Sequence, residues 1–551
     1  MKRFCNHHIF LACCLVALIC CFAVNAKTHR VGGKDKRVHL IHADLLHTDD
    51  YEMAGVQILN GKVHFFHDGT TLYCDSAYFY EASNSFKAFG HVRMYQGDTL
   101  SLTSDYAYYD GNDELAIARN HVILKNRTST LYTDSLNYDK AYSIGYFFEG
   151  GKLVDPTNTL TADWGQYDTE TRQAVFNFDV LLKNKKTKIK TDTLYYDTKS
   201  GLSEMYGPTD IYQSDGSHIY TEHGFHNTKT EKSEFYNRTV ITSNDGKKLV
   251  GDSVYHDNKT GISRAYNNVI YSDEVNKNQL TGDYCYYNDS TGYAVATKRA
   301  VAIDYSQKDT LYMHADTFKL YTININTDSM YRRVHAYNHV RVYRTDVQAV
   351  CDSLVYISQD SCITMYKDPI LWNENQQQLG EVIKIYLNDS TINWSHVIGQ
   401  ALSVQRLQED STRYNQISAR EMKSFFDNGD LRESQAIDNV ESVYFIIDDA
   451  DTTIIGCNCM ETTLMKMFLE NKKLQKIWSP KSQGTVYPLN QIPTGKDFLA
   501  SFAWFDYIRP VNKDDIFVWR GKAQEKVLKT IARKPAPKHH LTIGTQSQID
   551  N

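Results

Sequence analysis

The sequence predicts an all-β fold: an elongated, twisted β-jellyroll or solenoid-like array of ~30-residue repeats, followed by a short C-terminal helical cap and tail. Three observations predict it. A carboxylate following a small residue recurs at Asp44, Asp75, Asp105, Asp134, Asp163, Asp192, Glu222, Asp252, Asp283, Asp316, Asp352 and Glu381, at intervals between 29 and 36 residues. The stretches between these marks alternate apolar and polar, with β-branched and aromatic enrichment. Finally, 39 Tyr and 23 Phe stand against 9 Pro, a balance that suits strands joined by tight turns. Units of this period cannot bury their own apolar faces, so neighbours must do it for one another.

One copy, residues 88–110, shows the elements in order. It reads as a small residue and Gly90, an alternating strand over 91–95, a polar turn at 96–98, and a second strand that starts at Leu100 and carries Asp105. Three residues before the carboxylate stand Leu72, Leu102, Leu131, Leu160, Ile189, Ile219, Leu249, Leu280 and Met313. Two and four residues after it stand pairs such as Ala77 with Phe79 and Ala107 with Tyr109. The inward set therefore jumps by three across the carboxylate, which strict strand alternation forbids unless the backbone bulges or turns a corner there. Asp75, Asp105, Asp134, Asp163, Asp192, Asp252 and Asp283 are accordingly read as structural corner residues that hydrogen-bond local backbone. The companion strand carries small inward residues that give way to larger ones: Ala88, Gly90, Val92 and Met94, then Ala116, Ala118, Val122 and Leu124. Such a row describes an interior that narrows at one edge and leaves space at the other, or one filled by packing.

Residues 1–26 read as a secretory signal peptide, with Lys2 and Arg3, an apolar run over 9–24, and Val24-Asn25-Ala26 as the cleavage site. No later stretch approaches the ~20 apolar residues of a transmembrane helix. The β-repeat array is expected over 27–393, a divergent continuation with longer loops over 394–478, and a C-terminal cap and basic, then polar, tail over 479–551. The aromatics of 497–510 are expected to pack on the end of the array, because solenoid ends need capping. Cys74, Cys285 and Cys351 stand at inward positions as small hydrophobes. Cys351 and Cys362 form a candidate cross-strand bridge, and Cys457-Asn458-Cys459 is too tight for zinc spacing. A net charge of −6 does not suggest nucleic-acid binding. The basic run over 185–190 reads as a solvated edge that discourages strand addition.

Two stretches carry a family resemblance. Gly61-Lys62-Val63-His64-Phe65 leading to Leu72-Tyr73-Cys74-Asp75, and Gly90-His91-Val92 leading to Leu102-Thr103-Ser104-Asp105, resemble the consensus of the OstA-like family. That family comprises the organic-solvent-tolerance proteins and the periplasmic lipopolysaccharide-transport bridge of Gram-negative envelopes. The similarity is clear over 38–356 and weak beyond. It implies an edge-open β-jellyroll whose apolar interior carries the acyl chains of lipopolysaccharide or a related glycolipid toward the outer membrane. It also implies a periplasmic or outer-membrane-associated location and further jellyroll components joined edge to edge. The lipid lining would then include Ala88, Gly90, Val92, Met94, Leu102, Ala116, Ala118, Val122, Leu124 and Leu131. The chain departs from the family in being far longer than the bridge protein, without room after the array for the barrel of the translocon member.

The first function class is thus a lipid conduit. The alternative is a structural or glycan-binding β-solenoid with a filled core, in which outward Tyr108, Tyr195 and Tyr286 serve as sugar platforms unless they stack across strands. An enzyme is not expected, since no G-x-S-x-G, H-E-x-x-H or Walker sequence occurs, and no cofactor or metal is called for. A carboxylate present in every repeat is more simply architectural than catalytic.

Overall fold

The structure, a computed structural model, describes residues 37–48, 51, 53–388, 391–408, 410, 412–427, 429–448, 453–470 and 473–522. The expected signal peptide and the tail beyond 522 lie outside them. The fold is all-β and jellyroll-like: 36 strands pair antiparallel, and the described helical content is three single-turn 3₁₀ segments. Two compact units result, one formed by residues up to Gly151 with Gln166–Thr171, the other by Lys152–Gly165 with Arg172 onward.

The first unit contains strands β1 (His39–His42), β2 (Leu45–Thr48), β3 (Gln57–His67), β4 (Thr70–Tyr80), β5 (Ser85–Gln96), β6 (Leu100–Asp110), β7 (Leu115–Asn126) and β8 (Ser129–Asp139). Strands β3 to β8 follow one another as antiparallel neighbours, while β1 and β2 both pair with β3. Every long pairing slips register once, as between Tyr73 and Ser76 on β4 against Phe89 and Val92 on β5. At the slip, β3, β5 and β7 each place two consecutive residues in the left-handed region: Gly61 and Lys62, Gly90 and His91, Asn120 and His121. Strands β4, β6 and β8 place a carboxylate there. Left-handed backbone favours Gly and Asn, which explains Gly61, Gly90 and Asn120 at these corners.

The carboxylates hold these corners together. His91 donates from Nδ1 to Asp75 at 2.6 Å, His121 donates from Nδ1 to Asp105 at 2.7 Å, and the His121 backbone N–H donates to Asp134 at 3.1 Å. The hydrogen bond to Asp105 holds the His121 pKa above its ordinary value. Gly90 has φ +72°, and a Cβ there would lie 2.5 Å from Asp75 Oδ2, so the corner has no room for a side chain.

Because each strand bends at its corner, its two halves face each other across an apolar interior. His67, at the far end of β3, bonds through Nδ1 to Tyr109 Oη at 2.6 Å, although Tyr109 lies at the opposite end of β6. Phe65 stacks on Phe86 from the other half with ring centroids 4.2 Å apart. Beside the bend, Ala77, Ala88, Ala107 and Ala118 are successive cross-strand neighbours. Two halves diverging from one corner leave little width there, so small side chains fill it and Phe, Leu and Met fill the wider part.

The second unit repeats the device, with left-handed pairs at Phe178 and Asp179, Asn237 and Arg238, Asn267 and Asn268, Lys298 and Arg299, and Asn338 and His339, among others. Its C-terminal segment departs from a helical cap. Residues 489–519 form an extended strap with single 3₁₀ turns at Leu489–Gln491, Asp506–Ile508 and Asp515–Phe517. Pro488, Pro493 and Pro510 within and beside it break any longer helix. The strap's aromatics pack along a sheet face: Phe505 and Ile508 are buried with Val350, Trp372, Leu402 and Val404. All six cysteines among the described residues are free, so Cys351 and Cys362 form no bridge.

Candidate functional site

The interior differs along the chain, and the hydrogen bonds that close it explain how. In the first unit the ends of the two strand halves are joined by buried polar pairs. Tyr138 Oη donates to Gln96 Oε1 at 3.1 Å, and Asn126 Nδ2 donates to Tyr167 Oη at 3.1 Å and to the Thr169 carbonyl at 2.7 Å. Lys140, whose side chain is 5% exposed, sits between Asp68 and Glu114 at 3.3 and 3.4 Å. The early strands of the second unit are closed alike. Tyr196 donates to Asp155, Asn158 Nδ2 donates to Tyr196 Oη at 2.7 Å, and Lys186 pairs with Glu231 at 2.8 Å. Burial raises the Asp155 pKa, but the bonds from Tyr196, Thr157 and Asn158 together outweigh it and hold the carboxylate below its ordinary value.

Within the second unit the same repeat position then changes character. Three residues before the carboxylate, Leu160, Ile189 and Ile219 are at most 2% exposed, whereas Leu249, Leu280 and Met313 are half-buried. Four residues after it, Tyr196 is 2% exposed and Tyr287 is 42% exposed. From about Leu249 onward, an apolar inner surface therefore faces solvent. Cys285, Ala302, Leu311, Met313 and Val334 line it first, and Ile363, Leu371, Ile385, Ile417, Met460 and Met467 continue it. Unbranched Met at three of these positions adapts to ligands of varied shape.

A sheet half that is not covered on its inner face needs support on its outer one, and the strap supplies it. Gln377 Nε2 donates to the Ala503 carbonyl at 2.9 Å while its Oε1 accepts from the Phe505 N–H at 2.8 Å. Gln416 repeats this with the Asp497 carbonyl and the Leu499 N–H, both at 2.9 Å. Arg509 Nε donates to Gln348 Oε1 at 2.6 Å. Three glutamines on the outer face thus anchor the strap by its backbone or its arginine, while Trp372 and Phe505 fill the space between.

His226 marks the last fully closed level and supplies a pH test. Burial lowers its pKa to about 4, the nearby Glu231 opposing and His256 assisting. The unfolded imidazole titrates near ~6.5, so below that pH the unfolded chain takes the proton first. Stability is therefore complete above pH ~6.5, falls as the pH drops through this window, and levels off near the folded pKa, a loss of about 3 kcal/mol. Urea titrations between pH 7 and 4 are expected to show this slope in the parent and a shallower one in His226→Asn.

Nine of the ten residues assigned to the lipid lining by sequence lie in the closed interior of the first unit. Val92, Leu102 and Ala118 are 0% exposed, Leu124 and Leu131 are 1%, and Ala88, Met94, Ala116 and Val122 are also buried. Gly90 is the exception, half-buried as part of a left-handed corner. The structure thus brings these positions together as packed core around Phe65, Phe86 and Tyr109. The sequence does not distinguish the half-exposed surface from Leu249 to Met467, because the repeat pattern is the same on both sides of Ile219; what changes is the loss of polar partners at the strand ends. On the outer face, Tyr195 stacks against Tyr206 and Tyr286 against Tyr293, with ring centroids 5.6 and 6.1 Å apart. Among the described residues no group of three or more His, Cys, Asp or Glu is arranged to hold a metal, and no helix is long and apolar enough to cross a membrane.

No curated protein matches the sequence. Residues 35–192 match the family model described as OstA-like protein, a span that begins before β1 and ends at the corner carboxylate Asp192, while the repeat itself continues well past it. Over residues 35–192 the chain is similar to the OstA-like proteins.

Proposed function

We propose that the protein is a lipid-binding component of the cell envelope, and not an enzyme. It shields the acyl chains of lipopolysaccharide, or of a related glycolipid, during transport to the outer membrane or assembly of that membrane. The observation that carries this reading is the change at one repeat position, buried at Leu160, Ile189 and Ile219 and half-buried at Leu249, Leu280 and Met313. The groove beyond that point is apolar, lined by aliphatic, Met and Tyr side chains, and backed by a strap that keeps its wall in place. Each methylene moved from water contributes about 0.8 kcal/mol, so a ~14-carbon chain gains on the order of 10 kcal/mol before ordering costs. Within the second unit, the closed early strands act as the scaffold from which the groove extends. The OstA-like match supports the transport setting. The final strand, Ser482–Pro488, is exposed along most of its length and pairs with Ile454–Glu470, so it offers an edge to another jellyroll component.

The test is displacement of a solvatochromic fluorescent fatty acid from the purified full chain by detergent-dispersed lipopolysaccharide. Leu280→Glu and Met313→Glu, at positions exposed enough to keep the fold, are expected to weaken binding about tenfold or more. Unchanged affinity in both would contradict a ligand in this groove and favour the filled solenoid.

A further inference from the structure

The corner at Lys298 and Arg299 carries two cations. At several other corners the cation sits on a carboxylate: His91 on Asp75, Arg238 on Asp252, His339 on Asp316, Lys367 on Asp352. Lys298 and Arg299 are both exposed, both left-handed, and neither forms an ion pair among the described residues. They border a hollow of about 480 Å³ on the outside of the second unit, lined also by Thr297, His314, Asp316 and Phe517 of the strap.

The chemistry of this hollow is that of an anion site. Arg299 lies over the Phe517 ring at 5.2 Å, which fixes the guanidinium without neutralising it. His314 is 6% exposed and spends Nδ1 on the Ala300 carbonyl at 2.8 Å, leaving Nε2 for another partner. Its direct cross-strand neighbour is Arg341, which is 3% exposed and whose Nη1 has no hydrogen-bond partner, although its Nε donates to the Ile516 carbonyl. Arg341 does not itself line the hollow; buried beside His314 and over the Trp519 ring at 5.5 Å, it adds positive charge to the wall. The single lining carboxylate, Asp316, is already held by His339 at 2.8 Å.

We propose that this hollow binds a phosphate monoester carried on a sugar. Phosphate suits two surface cations with a third, Arg341, buried on the neighbouring strand beside His314. The volume accommodates one or two sugar rings, and the Phe517 ring supplies an apolar wall for them. The site is separate from the apolar groove, so it stands or falls independently of lipid binding there.

Isothermal titration of the purified full chain with glucose 1-phosphate, with glucose as the uncharged control, tests it. Binding of the phosphate ester alone is expected, weakened about tenfold or more in a Lys298→Gln, Arg299→Gln double variant and weakened by added salt. Both substitutions lie on an exposed corner, and unchanged far-ultraviolet circular dichroism confirms that the fold persists. A second arm uses detergent-dispersed lipopolysaccharide with and without its phosphates removed. Charge-dependent binding there, lost in the double variant while glucose 1-phosphate fails, assigns the phosphate to a lipid headgroup rather than a free sugar. Equal binding by parent and double variant, equal binding of glucose, or no phosphate-dependent binding in either arm overturns the proposal.

Discussion

Leu131→Asp is expected to unfold the first unit. Leu131 is 1% exposed and pairs with Leu124 across β7 and β8, in the layer that includes Leu102 and Met94. A carboxylate there has no partner and no water, and the cost is at least about 4 kcal/mol, a large part of a typical domain's stability. The informative control is Leu280→Asp, the same repeat position beyond the point where the interior opens. Because Leu280 is half-buried, its carboxylate reaches solvent and the cost is expected to be about 1 kcal/mol. Urea unfolding followed by far-ultraviolet circular dichroism measures both. Equal losses would mean that the two interiors are equally closed.

The second large effect is expected at Gln377, which is 0% exposed. Its amide accepts from Trp372 Nε1 at 3.2 Å and from the Phe505 N–H, and donates to the Ala503 carbonyl. Gln377→Ala leaves these three buried groups without partners and opens a cavity against Trp372, at a cost of about 3–5 kcal/mol. The strap should then detach locally while the strands remain. Hydrogen exchange is expected to speed up at Leu499 and Phe505 and not in β3 to β8, and limited proteolysis should cut within 489–519. A uniform loss of protection through the chain would show instead that the strap belongs to the cooperative core.

The repeat was legible in the sequence because its marks are local. A carboxylate after a small residue, Leu three positions earlier and an aromatic four later record the bend, the inward face and the strand end in one short stretch. The backbone at the bend was legible only in part. Gly90, Asn120 and Asn338 carry the signal of left-handed conformation, but Phe178, Lys298 and Lys367 occupy the same conformation without it, held there by the neighbouring strands. What the sequence conceals is which level of the array is closed. Closure depends on partners about 40 residues apart, such as His67 with Tyr109 and Asp155 with Tyr196, and no periodic pattern distinguishes a Tyr with such a partner from one without. The strap was hidden for a related reason. Its glutamine anchors lie on strands more than 80 positions before it in the chain, and a polar Gln in a strand reads as solvent-facing until its backbone partner is known.

In the proposed function, the apolar surface from about Leu249 to Met467, and not the closed interior before it, holds acyl chains. Site-specific photo-crosslinking in intact cells tests it most directly, with the probe residue placed in turn at Met313 and Ile385 in the groove, at Val92 in the closed interior, and at His121 on the outer face. Lipopolysaccharide-bearing adducts are expected from Met313 and Ile385 and none from Val92 or His121. Adducts from Val92 equal to those from Met313, or no adducts from the groove positions in a folded, exported protein, would contradict it.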